Sequence, residues 1–344
     1  MTVNKRKRKF KAFSKAALIR LGVLLFILLG VIGWLWFTCF QMPGNSYSGQ
    51  FLPLTAQEKI IQDNLQKDIN KLAIEIGARN YNNYENINTA ADFLKSSFQE
   101  AGYQVNKQEY KIDNKTFTNL EVEIKGVEKP DEIVIIGGHY DTAFTSPGAN
   151  DNGSGVAAVL ELARRFADKK PNKTLRFVEF TNEEPPYFWT ENMGSLVYAK
   201  GCKERNENVV AMLSLETMGY FSEEEGSQKY PFPLNLIYPS QGNFIAFVGD
   251  INSSWLVKKT IDLFRKQVQF QSEGVAIFGQ IPGVGWSDHW SFWEQDYQAL
   301  MVTDTAPFRY KHYHTLEDIP DKIDYEKFAR VVAGLEKVVG EFVR

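Results

Sequence analysis

The chain has 344 residues, of which 44% are hydrophobic and 24% charged, and these proportions are ordinary for a folded globular protein. They exclude a disordered tail and a collagen-like repeat, and two cysteines are too few for a disulfide framework. The net charge is −3, but residues 1–20 contain eight basic residues and no acidic one, so the rest of the chain carries −11. Nothing in that acidic remainder predicts a nucleic-acid partner.

An uncharged run of twenty residues, 21–40, follows the basic segment. A helix of that length spans about 30 Å, the hydrocarbon thickness of a bilayer, and Trp34 and Trp36 suit an interface at its far end. A cleaved signal peptide is the alternative, but its apolar region is usually about 7–15 residues long and ends at small residues. Because this run ends in Trp-Phe-Thr-Cys-Phe, the sequence predicts an uncleaved single-pass anchor.

The charge distribution predicts the orientation of this anchor. Basic segments beside a spanning helix stay in the cytoplasm, so residues 1–20 are expected there and everything after residue 40 in the periplasm or outside the cell. Residues 41–56 are rich in Gly, Ser and Pro, which is typical of a linker. Residues 57–344 then form one folded domain.

The hydrophobic periodicity of that domain predicts an α/β fold. Apolar residues have helical spacing at 57–76 and 87–100, whereas 132–137 and 175–180 are apolar on both faces, as in buried strands. Further strands are expected at 103–110, 119–125, 209–215, 244–248 and 298–303, and further helices at 154–168, 195–200, 253–268 and 324–342. Buried strands alternating with helices predict a largely parallel sheet covered on both sides, which binds ligands at the carboxyl ends of its strands.

Side chains that can bind a metal ion follow the predicted strands at that same end. They are His139 and Asp141, then Asp151, then Glu183 and Glu184, then Glu216, and finally His312 and His314. Each loop alone is a weak signal, since Asp151 before Gly-Ser-Gly could cap a helix and two adjacent glutamates could be exposed charges. Their recurrence after successive strands, with all four histidines of the chain in such loops, favours one shared site.

Imidazole and carboxylate ligands without thiolate suit zinc or a similar divalent ion. Two imidazoles and three carboxylates are enough for two ions that share one carboxylate, and paired ions polarise a carbonyl and activate a water molecule. Because Glu183 and Glu184 are adjacent, their side chains point in different directions, so one can bind metal while the other acts as general base. Asp141, two residues after His139, can accept the other N–H of the imidazole.

Six segments in this order within residues 57–344 resemble family twenty-eight of the zinc metallopeptidases: GGHYDT, GANDNGSGVAAVLELAR, FTNEE, LSLETMGY, SDHWSFW and HYHTLEDIPD. That group includes aminopeptidase Y, bacterial leucyl aminopeptidases, glutamate carboxypeptidase II and the related glutaminyl cyclases. The resemblance implies an α/β fold with a mixed, mostly parallel central sheet sandwiched by helices, the zinc aminopeptidase or phosphorylase/hydrolase-like architecture.

The resemblance also implies roles for single residues. The zinc ligands would be His139, Asp151, Glu184, Glu216 and His314. Asp151 would bridge two ions, Glu183 would be the catalytic base and Asp141 would support the first histidine. His314 is preferred to His312 because the family ligand stands in a Tyr-His-Thr context, which this chain has at 313–315.

Some features depart from the family pattern or concern the substrate pocket. Many family aminopeptidases have Asp where this chain has Glu216, which keeps the oxygen ligand. Some members carry a tyrosine before the Ser-Asp-His segment that helps to hold the tetrahedral intermediate, whereas this chain has Gly-Val-Gly-Trp at 283–286. The candidate pocket residues are Phe188 and Trp189, which follow two prolines, and Asp288 and His289, which match a pocket segment of the cyclases.

These features predict a membrane-anchored, zinc-dependent aminopeptidase with two ions per chain. Its expected partners are peptide substrates and, through the amino-terminal helix, the membrane. The main alternative is a glutaminyl cyclase-like acyltransferase, which forms pyroglutamate without an attacking water. A third is a non-catalytic receptor domain on the same fold, but the intact ligand set argues against it.

Overall fold

The computed structural model describes residues 14–344, and the chain divides into two compact units, Met1–Gln41 and Met42–Arg344. Of the basic segment expected at 1–20, residues 1–13 therefore lie outside the described residues.

The first unit contains one apolar helix. α1 runs from Lys15–Leu35 and continues as a π-helical turn, Trp36–Phe40. Ser14 caps it, because its side chain accepts the N–H of Ala17 at 3.2 Å. None of the residues of α1 is buried. Within residues 14–344 this is the one helix long and apolar enough to cross a membrane, and it contains the predicted span 21–40.

The second unit contains eight strands and eight further α-helices. The strands are β1 (Asn106–Ile112), β2 (Lys115–Ile124), β3 (Lys129–His139), β4 (Lys173–Phe180), β5 (Asn208–Glu216), β6 (Ile245–Gly249), β7 (Ser272–Ala276) and β8 (Ala299–Thr303). The helices are α2 (Ala56–Asn70), α3 (Tyr84–Glu100), α4 (Gly153–Phe166), α5 (Gly194–Glu204), α6 (Ser254–Gln267), α7 (His289–Trp293), α8 (Ala306–Arg309) and α9 (Tyr325–Phe342).

All eight strands form one sheet in the order β1-β2-β4-β3-β5-β8-β6-β7. The central strands β4, β3, β5 and β8 are parallel to one another, as are β6 and β7. β1 pairs antiparallel with β2, β2 with β4, and β6 with β8. The mixed, mostly parallel sheet expected from the sequence is therefore confirmed.

Successive residues of β3 show why its sequence is apolar throughout. Val134 and Ile136 belong to the larger hydrophobic core with residues of α4 and α9. Ile133 and Ile135 belong to the smaller core with residues of α5 and α7. Since side chains alternate across a strand, helices on both faces require apolar residues at every position.

Three short elements differ from the sequence-based expectations. No strand is expected at β7 and no helix at α7 or α8, yet all three form. Part of the segment expected as a linker makes hydrogen bonds within the second unit: Arg265 Nη1 donates to Pro43 O at 3.0 Å, and the backbone N–H of Ser272 donates to Ser46 Oγ at 2.9 Å. A capping box of Thr55 and Glu58 then starts α2.

Candidate metal centre

The polar loops expected to form a site do meet at the carboxyl ends of the central parallel strands. His139 is the last residue of β3 and Glu216 the last residue of β5, while the Glu pair follows β4 by three residues. The side chains that converge there are His139, Asp151, Glu183, Glu184, Glu216 and His314. All are buried except that of His314, which is 25% exposed.

Five of these residues form two groups with ligand geometry that share Asp151. In the first group His139 Nε2 lies 3.2 Å from Glu216 Oε2 and 3.6 Å from Asp151 Oδ1. In the second group His314 Nε2 lies 2.9 Å from Asp151 Oδ2 and 3.2 Å from Glu184 Oε1. One carboxylate oxygen of Asp151 therefore faces each imidazole, the arrangement expected of a bridging ligand.

Four atoms that face this centre are buried without a hydrogen-bond partner. They are His139 Nε2, Asp151 Oδ2, Glu184 Oε1 and His314 Nε2. Leaving buried polar atoms unpaired is costly, and native proteins seldom do so. Because all four are nitrogen or oxygen donors gathered at one place, the residues fit a zinc centre.

The pKa shifts of the residues at the site also favour a bound cation. Burial raises the pKa of Glu184 to about 8, and the charge of Asp151 adds to the rise. Burial disfavours the charge on His314, yet the neighbouring carboxylates of Asp151 and Glu184 raise its pKa to about 10. Burial likewise opposes the charge on His139, but Glu216 and the other carboxylates raise its pKa well above the usual value. Carboxylates outnumber imidazoles, so the site favours cations.

Asp141 holds the Glu pair as well as the first histidine. Its Oδ1 and Oδ2 accept the backbone N–H groups of Glu183 and Glu184, each at 3.0 Å. His139 Nδ1 lies 3.2 Å from the Asp141 backbone carbonyl oxygen and 3.4 Å from its Oδ1. Donation from Nδ1 leaves Nε2 of the imidazole for the centre. The sequence indicated the histidine contact but not the two backbone contacts.

The helix-cap alternative for Asp151 does not apply, because Asn152 takes that position. Asn152 Oδ1 accepts the N–H of Gly155 at 3.0 Å and so caps α4. Its Nδ2 donates to Leu215 O at 2.8 Å, which ties the cap to the end of β5. Asp151 is thereby left facing the centre. Neither ligand group among the described residues includes His312.

An apolar cavity of about 80 Å³ borders Glu216. Its lining includes Tyr230, Leu234, Phe244, Val275, Trp286, Phe308 and Tyr313. These residues come from segments that are far apart in the sequence, so no local spacing could predict the cavity. Its position beside the ligands suits the side chain of a substrate residue.

The four pocket residues expected from the sequence lie outside that lining. Phe188 stacks on Trp189, with ring centroids 4.9 Å apart, and Trp189 Nε1 donates to Gly285 O at 3.0 Å. His289 is fully buried and its Nε2 donates to Val284 O at 2.7 Å. The Asp288 carboxyl is buried without a hydrogen-bond partner, and burial raises its pKa to about 7.

Tyr313 is a candidate functional residue that the sequence patterns did not predict. Its ring stacks on His314, with centroids 3.8 Å apart, and lines the cavity. Burial raises its pKa well above the usual value, and the charges of Asp151 and Glu184 add to the rise. A neutral phenol in the field of these carboxylates is a hydrogen-bond donor beside the centre, whereas residues 283–286 offer no such hydroxyl. The one sequence feature that could have indicated Tyr313 is its position directly before His314.

Residues 119–339 match the sequence pattern of peptidase family M28, and this match covers more than half of the chain. The chain belongs to peptidase family M28. It is therefore a zinc metallopeptidase, a hydrolase, as the resemblance of its six segments implied.

Two relatives illustrate the range of similarity. An uncharacterized protein of Escherichia coli K12, YfbL, is 35% identical over 287 residues, which are 79% of this chain and 86% of that protein. A probable zinc metalloprotease of Pyrenophora tritici-repentis is 30% identical over 197 residues, 49% of this chain and 44% of the fungal protein. This chain thus spans most of the bacterial relative but less than half of the fungal one.

Solved structures share the fold of this M28 protein. A zinc aminopeptidase from Bacillus subtilis superposes with a TM-score of 0.67 at 16% identity, covering 86% of this chain and 97% of that one. A glutaminyl cyclase from Fimbriiglobus ruber gives 0.60 at 20% identity with the same coverage, 86% and 97%. At these identities the likeness concerns the fold alone, and both activities considered from the sequence occur on it.

Proposed function

We propose that this M28 peptidase is a membrane-anchored zinc aminopeptidase that removes amino-terminal residues from peptides. Its catalytic domain would be residues 57–344, joined through 41–56 to the anchor at 21–40. The observation that carries the proposal is the pair of ligand groups sharing Asp151 directly beside an apolar cavity.

Each ligand group would hold one zinc ion. His139 and Glu216 would bind the first, Glu184 and His314 the second, and Asp151 would bridge them. The four nitrogen and oxygen atoms that lack a hydrogen-bond partner support this assignment, since each faces the centre. Bound zinc would polarise the scissile carbonyl and lower the pKa of an attacking water.

Glu183 would act as the general base. Its Oε2 lies 3.7 Å from His139 Nε2, and the residue belongs to neither ligand group. Burial raises its pKa well above the usual range, with the charges of Glu184 and Glu216 adding to the rise despite the opposing effect of His139. A carboxylate of raised basicity can accept a proton from water and release it to the leaving amine.

The proposed centre would suit a substrate with a free amino terminus, because a neutral amine is a nitrogen ligand and zinc accepts nitrogen ligands. The apolar cavity beside Glu216 would receive the side chain of the first residue. We therefore expect the enzyme to prefer peptides that begin with an apolar residue.

Glutaminyl cyclisation is the second candidate, and the buried Asp288-His289 segment together with the fold shared with a cyclase supports it. Three peptides of otherwise identical sequence separate the two: one with a free amino-terminal leucine, one acetylated, and one beginning with glutamine. With the full chain in detergent, an aminopeptidase releases leucine from the first and leaves the acetylated peptide intact. Loss of ammonia from the glutamine peptide, without hydrolysis of the leucine peptide, would favour the cyclase instead.

The anchor is proposed to leave the amino terminus in the cytoplasm and the catalytic domain in the periplasm or outside the cell. The apolar side chains of α1, none of which is buried, support the span, and the basic residues within 1–20 support its orientation. Protease added to intact spheroplasts should therefore digest the catalytic domain. Protection until the membrane is lysed would contradict the orientation.

A further inference from the structure

We infer that Asp318 is a positioning residue that fixes the bridging ligand Asp151 and couples it to the loop that carries His314. The inference rests on the proposed ligand roles of these two residues. Asp318 itself belongs to neither ligand group.

Asp318 accepts hydrogen bonds from three successive backbone N–H groups. Oδ1 of Asp318 accepts the N–H of Asn150 at 2.8 Å, and Oδ2 accepts the N–H of Asp151 at 3.0 Å. The backbone carbonyl of Asp318 accepts the N–H of Ala149 at 3.1 Å. Since Asp318 is fully buried, these bonds are shielded from water, and bonds to a carboxylate are stronger than neutral ones. Together they fix the backbone from which the Asp151 side chain projects.

The position of Asp318 in the chain gives these contacts a consequence for the centre. It follows His314 by four residues, so the loop that supplies one ligand also holds the backbone of the ligand opposite it. His314 Nε2 and Asp151 Oδ2 are 2.9 Å apart. A shift of the Asp318 carboxyl would therefore change the spacing of the second ligand group.

The same contact occurs once more at the centre, on the other side. The Asp141 carboxylate accepts the consecutive N–H groups of Glu183 and Glu184, as Asp318 accepts those of Asn150 and Asp151. In both cases an aspartate outside the ligand groups bridges two adjacent amides of a ligand-bearing loop. This repetition favours positioning of ligands over a general brace of the fold.

Stepwise zinc binding to the metal-free full chain tests the inference, with a chromogenic chelator as competitor. Asp318→Asn preserves the shape but leaves only one side-chain acceptor for two amides. His314→Ala identifies the zinc-binding step that uses the second ligand group, because it should abolish that step. In Asp318→Asn the zinc affinity of this same step should fall about 10–100-fold, the usual effect of losing a residue that orients a ligand. Asp318→Glu keeps both oxygens on a longer stem and should recover part of that loss. If Asp318→Asn does not fold, a smaller selective loss in Asp318→Glu carries the same test.

Tyr310→Phe is the matched control. It removes the hydroxyl that donates to Asp318 Oδ1 at 2.9 Å but leaves both amide contacts, so zinc affinity should stay at the wild-type value. Unchanged zinc affinity in the Asp318 variants overturns the inference. An equal loss of zinc affinity at both binding steps, together with a lower unfolding temperature of the metal-free protein, also overturns it, because it would show a general structural role. Failure of the wild-type chain to bind zinc would instead overturn the proposed function.

Discussion

The carboxylate of Glu216 is held in position by two neighbouring side chains. Ser287 Oγ donates to its Oε2 at 2.6 Å, and Asn152 Nδ2 lies 3.4 Å from the same oxygen. Asn152 also caps α4, so one amide side chain links the helix start to the carboxylate at the end of β5. Such contacts restrict the rotamers of this proposed ligand before any metal binds, which would reduce the entropy lost on binding.

The two adjacent glutamates should respond differently to the same substitution. Glu183→Gln keeps the shape and removes the base, so zinc content should stay near normal while kcat falls by about 10²–10⁴-fold with little change in KM. Glu184→Gln puts a poor ligand at the second group, so zinc content and activity should fall together. Metal analysis and steady-state kinetics on the same preparations measure both. A Glu183→Gln protein that loses zinc or keeps its turnover would mean that the roles are reversed or wrong.

His289 should make the metal-free protein less stable at acid pH. Burial lowers its pKa from 6.5 to about 4. The unfolded chain therefore binds a proton more readily than the folded chain. The stability that neutral His289 contributes is complete above pH 6.5 and is lost as the pH falls towards 4, by at most about 3 kcal/mol. Urea unfolding in the presence of a chelator should show this slope in the wild type and a smaller one in His289→Gln. Equal slopes would contradict the burial argument.

At the scale of elements, the sequence predicted what hydrophobic patterning can encode. β3 and β4 were recognisable because both faces are covered, and the ligand loops were recognisable because they follow such strands. β7 was missed because Ser272, Glu273 and Gly274 have no strand pattern; the segment is a strand because its backbone pairs with β6. The cavity beside Glu216 was missed for a related reason, since distant segments converge there only after folding.

The contact between α4 and β5 should be intolerant of added volume. A Cβ at Gly155 would collide with Leu215 O and with the Asn152 side chain. Gly155→Ala should therefore destabilise the protein by about 1–3 kcal/mol and weaken zinc binding, because the helix must move away from the ligand at the end of β5. Chemical denaturation and zinc titration measure the two effects.

Gly340 in α9 provides the matched control for that substitution. Nothing lies within 4 Å of a Cβ added there. Gly340→Ala should stabilise the helix by up to about 1 kcal/mol and leave zinc affinity unchanged. Similar results for the two alanine variants would refute the steric explanation.

At the scale of the whole molecule, positive charge is concentrated in the first twenty residues and the rest of the chain is acidic. Eight basic residues lie in residues 1–20, and the remainder carries −11. Anionic lipid repels acidic protein, so in the proposed arrangement the apolar helix would provide the attachment of the acidic part to the membrane. The sequence predicted this division directly, because it depends on composition and not on tertiary contacts.

The central claim is that two ligand groups sharing Asp151 hold the zinc needed for removal of amino-terminal residues. The most direct measurement is the rate of leucine release from a free-amine peptide as zinc is titrated into the metal-free full chain. We expect no release without metal and a rate that reaches its maximum when two zinc ions are bound per chain. Undiminished release by the metal-free chain, or zinc binding that leaves the free-amine peptide intact, would contradict the account.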